Sequence, residues 1–171
     1  MTDTPPTLRP ATHHDLPALH ALVERSYRSN AGWTHEADLF DGPRTDLASL
    51  ALIIDQPEQV ILVAVADGAP IASVQVSNMG DGTAYMGLLS VDPSRQSGGM
   101  GGRMIAAAEA EARIRFGAIR MEMTVIDRRA ELIGWYGRRG YAPTGEQRAL
   151  PAGIGELYID LKLLVLEKPL A

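Results

Sequence analysis

The sequence predicts a mixed α/β fold: one central sheet flanked by helices. Three observations carry this. Two runs rich in valine and isoleucine, "QVILVAVA" and "APIASVQVSN", flank Asp67-Gly68, and "AYMGLLSV" follows shortly after. Apolar runs joined by tight-turn pairs form an antiparallel meander. From Gly101 the apolar period changes from strand-like to helical. Past that helix come a strand, a short helix and two closing strands. This order is not a repeated strand–helix–strand chain, so the sheet is mixed rather than parallel.

The elements follow in turn. Residues 1–6 read as a loose tail, and "TLRPAT" as a short first strand. In "THHDLPALHALVERSYR", Thr12 and Asp15 have capping-box spacing, and Leu16, Leu19, Leu22 and Val23 make an apolar face. The less regular "SNAGWTHEADLFDGPRTD" follows, with Thr34 able to cap a short helix. Asp46 to Ile54 forms the next helix. Asn78 to Thr83 is read as the second turn of the meander, and Asp92-Pro93-Ser94 ends it because proline cannot continue a ladder.

In the helix from Gly101, the residues Gly101, Ile105, Ala108, Ala112 and Phe116 share one face. Glu109 with Arg113, and Glu111 with Arg115, have the favourable spacing for surface ion pairs. "AIRMEMTVI" alternates as a strand with Ile119, Met121, Met123 and Val125 on one side. "RRAELIGWYGRRG" is a helix stopped at Gly140, and "YAPTGEQRAL" and "ELYIDLKLLVLEK" close the sheet.

Composition bounds the function. The chain of 171 residues fits a single domain over 1–171. A net charge of -5 argues against a broad nucleic-acid footprint. The absence of cysteine removes disulfides, thiolate metal sites and a cysteine nucleophile, and fits a reducing compartment. The polar, proline-rich start lacks the features of a secretory signal. The apolar runs fall short of the ~20 residues of a membrane span. The expectation is a cytoplasmic protein with no membrane partner and no metal.

The chemistry concentrates in "QSGGMGGR", where Gly98, Gly99, Gly101 and Gly102 surround Met100 at a strand-to-helix junction. The first amides of a helix lack internal partners and, with the helix dipole, suit a phosphate. Glycine lets a ligand approach that backbone closely. The bland alternative is a turn needing positive φ, but four glycines in this setting favour phosphate. The Walker pattern fails, since no Lys-Ser or Lys-Thr follows, and the dinucleotide pattern fails at its third glycine.

"QSGGMG", Gln96 to Gly101, resembles the Q/R-x-x-G-x-G/A signature of the GNAT superfamily, the acyl-CoA-dependent N-acyltransferases. "LSVDP" resembles that family's strand end just upstream. "WYGRRGYAPTG" resembles its later Y-x-x-x-G-F/Y segment, through Tyr136, Gly140 and Tyr141. "LRPATHHDLPAL" resembles its opening strand and first helix. The resemblance runs from about Thr7 to the last strand.

It implies a GNAT-type, mostly antiparallel sheet splayed between its fourth and fifth strands, with acetyl-CoA as co-substrate in the opening. The main chain of Leu89, Ser90 and Val91 would hold the pantetheine arm as an added strand. The amides of Gln96, Ser97, Gly98, Gly99, Met100, Gly101 and Gly102 would hold the pyrophosphate. Tyr136 would protonate the departing thiolate, and the Leu89 N–H would stabilise the acyl oxygen as it gains charge. On helical spacing alone Tyr136 would be an ordinary packed aromatic. The glycine loop upstream and Gly-Tyr downstream reverse that preference.

Many relatives carry asparagine seven residues before the tyrosine and a small residue four before it. Here these are Arg129 and Leu132. Arg128, Arg129, Arg138 and Arg139 are candidates for the phosphates of the nucleotide end, Arg129 and Arg139 being assigned there, with a solvated helix face, and Arg138 and Arg139 complementing the helix C-terminus, as the alternative. The general base stays open among Glu122, Glu36, His35, a bound water and an amine that arrives neutral. Trp33, Glu36 and Phe40 are assigned to the acceptor pocket. For Trp33 and Phe40 a core position is an equal alternative.

The leading reading is an N-acetyltransferase acting on a small-molecule amine by direct attack with both substrates bound. A catalytically weak CoA-binding module of the same fold is the runner-up. A nucleotide-binding protein of another fold is third. Many relatives pair, which makes a homodimer the prior.

Overall fold

The computed structural model describes residues 5–27, 45–149 and 162–170. In chain order the elements are β1 (Thr7–Pro10), α1 (Leu16–Tyr27), α2 (Leu47–Asp55), β2 (Gln59–Ala66), β3 (Ala69–Gly80), β4 (Thr83–Val91), α3 (Met100–Phe116), β5 (Arg120–Ile126), α4 (Ala130–Gly137), β6 (Ala142–Arg148) and β7 (Leu163–Pro169). The strands form one sheet in the order β1-β2-β3-β4-β5-β7-β6. All neighbours are antiparallel except β4 and β5.

Strand alternation sorts the side chains onto two faces. Ile61 and Val63 of β2 join Leu19 and Val23 of α1 and Leu50 of α2 in one cluster. Leu62 and Val74 pack in the other with Met104, Ile105, Ala108 and Ala112 of α3. Met121, Met123 and Val125 of β5 belong to this second cluster, as the alternation predicts. Among the described residues no helix is long and apolar enough to cross a membrane.

Local signals explain most boundaries. Asp67 and Gly68 both have positive φ, 53° and 79°, as the mirror-image hairpin turn requires. Asp46 caps α2, its side chain accepting from the Ser49 N–H at 2.7 Å. Thr12 and Asp15 form the expected box, with the Thr12 N–H donating to Asp15 at 2.8 Å. A short 3-10 turn, His13–Asp15, precedes α1. Arg9 grips both oxygens of Asp15 at 2.7 and 3.0 Å. This ion pair holds the Asp15 carboxyl below the usual carboxylate range.

Three expectations needed correction. β3 runs on to Gly80, and the turn is only Asp81-Gly82, a second pair with positive φ. Asn78 and Gly80 therefore still pair with β4, across from Ala84 and Thr83. Ile119 does not share the buried face of β5. It stands before the strand, 61% exposed, where its N–H donates to the Gly82 carbonyl at 2.7 Å. Glu109 is buried rather than paired with Arg113 on the surface. Both its oxygens accept from Lys168 Nζ at 2.9 Å, and one accepts from the Tyr141 hydroxyl at 3.0 Å. The predicted Glu111–Arg115 pair is present.

Candidate active site

β4 and β5 pair only at their first three positions, Thr83–Arg120, Ala84–Met121 and Tyr85–Glu122. Beyond these, among the described residues, β4 continues to Val91 with no register partner on that side, and β5 continues paired with β7 alone. The two parallel strands thus part into a cleft. A bulge in β4 accompanies the parting. Ser90 pairs with Ser73 and Gly87 with Gln75, so Leu88 and Leu89 together oppose Val74. Leu88 has φ of 49°, a left-handed conformation that a bulky residue rarely adopts. A bulge bends its strand and increases the local twist.

The cleft is lined by Leu89 and Val91 from β4, Tyr27 from α1, Gly99, Gly101 and Gly102 around the start of α3, and Leu132, Trp135, Tyr136 and Arg139 from α4 and its end. Gly99 takes φ of 76°, which turns the chain from the 3-10 segment Pro93–Gly98 into α3. Among the described residues, a Cβ on Gly98 or Gly99 would meet no atom within 4 Å, so the space beside these two glycines is open. Gly101 has another reason to be glycine. A Cβ there would stand 3.0 Å from the Trp135 ring. Arg139 stacks on that ring with its guanidinium carbon 3.7 Å from the centroid, and donates to the Trp135 carbonyl at 3.0 Å. A cation is thereby fixed beside the α3 N-terminus.

Tyr136 is buried at the inner wall. It packs edge-on against Trp135 and Tyr141, with centroids 4.9 and 6.1 Å apart. No described group hydrogen-bonds its hydroxyl. Burial pushes this phenol well above its ordinary value; the neighbouring Tyr27 and Tyr85 add to the shift and Arg139 opposes it. Tyr141 is also pushed well up, first by burial and then by the charge of Glu109. Both phenols stay protonated in the fold while an unfolded chain would lose their protons near pH ~10. Their titration leaves stability unchanged below about pH 10, and stability falls as pH rises from there towards their folded values. Urea titrations between about pH 9 and 11 should show stability falling with pH. Converting Tyr136 and Tyr141 together to phenylalanine should flatten that fall.

The sequence pattern of the acetyltransferase (GNAT) family matches residues 17–141, which span α1 to the start of β6. The chain belongs to this family. It is an acetyltransferase of mixed fold with the splayed sheet that the family implies. Among solved structures, the ribosomal-protein-S18-alanine N-acetyltransferase from Escherichia coli superposes with a TM-score of 0.72 at 17% identity, covering 97% of this chain and 94% of that one. The PaiA N-acetyltransferase from Thermoplasma acidophilum, in complex with coenzyme A, gives 0.75 at 15%, covering 97% and 99%. YncA from Salmonella typhimurium, with its cofactor acetyl-CoA, gives 0.72 at 18%, covering 98% and 95%. A comparison with curated protein sequences finds no match.

In this acetyltransferase the cleft brings together Leu89, Val91, Gly99, Gly101, Gly102, Tyr136 and Arg139 of the expected residues. Met100 starts α3 with its side chain in the core. Gln96 and Ser97 fall in the 3-10 segment leading into the loop. The Ser90 side chain is buried and donates to the Leu88 carbonyl at 3.2 Å. Arg129 occupies the N-cap position of α4, is buried, and is not among the residues lining the cleft. Trp33, Glu36 and Phe40 lie outside the described residues, as do Thr34 and His35. Glu122 faces the α1 side of the sheet, opposite Met121 and Met123, where both its oxygens accept from Arg148 at 2.9 and 3.1 Å.

Sequence reasoning missed Tyr27 and Trp135. The Tyr27 hydroxyl donates to the Leu89 carbonyl, and the neighbouring Ser26 hydroxyl donates to the Val91 carbonyl at 2.9 Å. The end of α1 thus reaches the cleft side of β4. No local pattern marks this, because the contacts cross more than sixty positions of sequence. Trp135 did carry a signal. It is an aromatic directly before the candidate tyrosine and one helical turn from Arg139, a spacing that permits stacking.

Proposed function

We propose that this acetyltransferase moves an acetyl group from acetyl-CoA to the amine of a small acceptor, with both bound at once. The observation that carries the reading is the parting of β4 from β5 directly beside a glycine-lined helix start. An unpaired strand edge suits an extended amide-bearing arm. The open space at Gly98 and Gly99, before the free amides of α3, suits a pyrophosphate. Arg139 adds a fixed positive charge at that end. These residues fit the co-substrate, whose thioester supplies the acyl group.

The residues then divide the work. The Leu89 N–H would receive the acyl oxygen as negative charge develops on it. The amine nitrogen bonds the acyl carbon, and the carbon–sulfur bond breaks. Tyr136 would give its proton to the departing sulfur, and the proton lost by nitrogen returns through solvent to the phenol. Glu122 is a poor base for the amine, since Arg148 occupies both its oxygens. The reading has the amine arrive neutral or lose its proton to water. Trp33, Glu36 and Phe40 remain the proposed acceptor side.

Thermal stability followed against acetyl-CoA, CoA, NAD and ATP tests the reading. Acetyl-CoA and CoA should stabilise by mass action, and NAD and ATP should not. No shift with either CoA species would overturn it. A thiol-release screen over amines then identifies the acceptor.

A further inference from the structure

The bulge in β4 is held by more hydroxyl groups than a strand needs. Ser73 and Ser90 lie opposite each other on the ladder, each 1% exposed, and both aim at one atom. The Leu88 carbonyl accepts from Ser90 Oγ at 3.2 Å and from Ser73 Oγ at 3.5 Å. The next carbonyl along, that of Leu89, accepts from Tyr27. Three side-chain hydroxyls, from α1, β3 and β4, thus converge on two consecutive peptides at the one residue of β4 with positive φ.

We propose that Ser73, Ser90 and Tyr27 are positioning residues whose hydroxyls clamp the bulged backbone and preset the Leu89 N–H as the donor to the acyl oxygen. The inference rests on the acetyl-transfer reading above. Its geometry is that of a single peptide unit. The Leu88 carbonyl and the Leu89 N–H belong to the same trans peptide, so they point in opposite directions. Hydroxyls anchoring the carbonyl on one side fix where the N–H points on the other. Hydrogen bonds to that carbonyl also polarise the unit, which makes its N–H a stronger donor. Tyr27 pins the following peptide, so the bulge cannot relax by rotating about Leu89. Left-handed residues outside glycine persist only where their surroundings over-determine them, and they cluster at functional sites. None of the three hydroxyls needs to touch the co-substrate to act this way.

The test compares Ser73→Ala, Ser90→Ala, their double variant and Tyr27→Phe with the unaltered enzyme. It reads kcat, KM for acetyl-CoA, and the infrared carbonyl band of bound, carbonyl-labelled acetyl-CoA. Weakening the donor should lower kcat by about tenfold in the double variant, with KM changed by less than about twofold. The labelled band should move towards its position in free acetyl-CoA. Ser73→Thr, which keeps a hydroxyl, should restore kcat. A merely structural role would lower thermal stability without moving the band. A folded double variant with unchanged kcat and an unchanged band would overturn the proposal. If the double variant does not fold, Tyr27→Phe decides by the same two readouts. Failure of acetyl-CoA to stabilise the unaltered protein would instead sink the acetyl-transfer reading, and this inference with it.

Discussion

Replacing Tyr136 by phenylalanine should lower kcat by about 10²- to 10³-fold while KM for acetyl-CoA changes by less than about twofold. The expectation follows from what the hydroxyl does and does not touch. The ring is held by edge contacts to Trp135 and Tyr141, which phenylalanine keeps. The hydroxyl is buried among the described residues with no partner. A buried polar group without a hydrogen bond costs stability, so removing it should leave the melting temperature unchanged or raise it. This separates catalysis from structure. Loss of turnover in an equally stable enzyme assigns the proton to Tyr136. Loss accompanied by destabilisation would mean the hydroxyl supports the fold. Unchanged turnover would remove Tyr136 from the mechanism. Because burial and neighbouring phenols hold its pKa high, Tyr136 should impose no falling limb on kcat below about pH 10.

Much of this site was legible because its signals are local. The change of period at Gly101 and the glycines before it place the start of α3. The Asp-Gly pair at 67–68 fixes the first hairpin, and Asp92-Pro93 ends β4 where the cleft opens. The bulge was not legible. "GLLSV" reads as ordinary strand sequence, and nothing in it marks Leu88 as left-handed. The contacts around it are largely tertiary: the Leu88 side chain enters the cluster under α1 and α2, and Ser73 of β3 donates to its carbonyl. Glu109 shows the same limit. Its spacing to Arg113 matches a surface pair, yet its partner is Lys168, fifty-nine positions away on β7. Local spacing cannot report a neighbour brought by sheet topology. Arg129 stands at the N-cap position of α4 and is buried, which its alignment with a family position did not announce.

Truncating Glu109 to alanine should cost about 3 kcal/mol of stability at neutral pH, measured by urea unfolding with an unchanged slope. Three elements meet at this carboxylate. It lies on α3, its ammonium partner on β7, and its phenol partner just before β6. Without it, the Lys168 side chain loses its carboxylate partner and the Tyr141 hydroxyl loses its acceptor. The Lys168 side chain is 28% exposed and the Glu109 side chain 11%, so water screens part of the attraction and the cost falls at the low end for a buried pair. The Lys168 stem runs over Gly140, with Cε 3.2 Å from where a Cβ would stand. Converting both partners to apolar residues of similar size, Glu109→Leu with Lys168→Met, should cost less than the sum of the two single changes. That removes two desolvated charges together rather than stranding one. A double variant as damaged as the sum would show that the two residues act independently. Neither residue lines the cleft, so acetyl-CoA binding by the folded fraction should be unchanged in every variant.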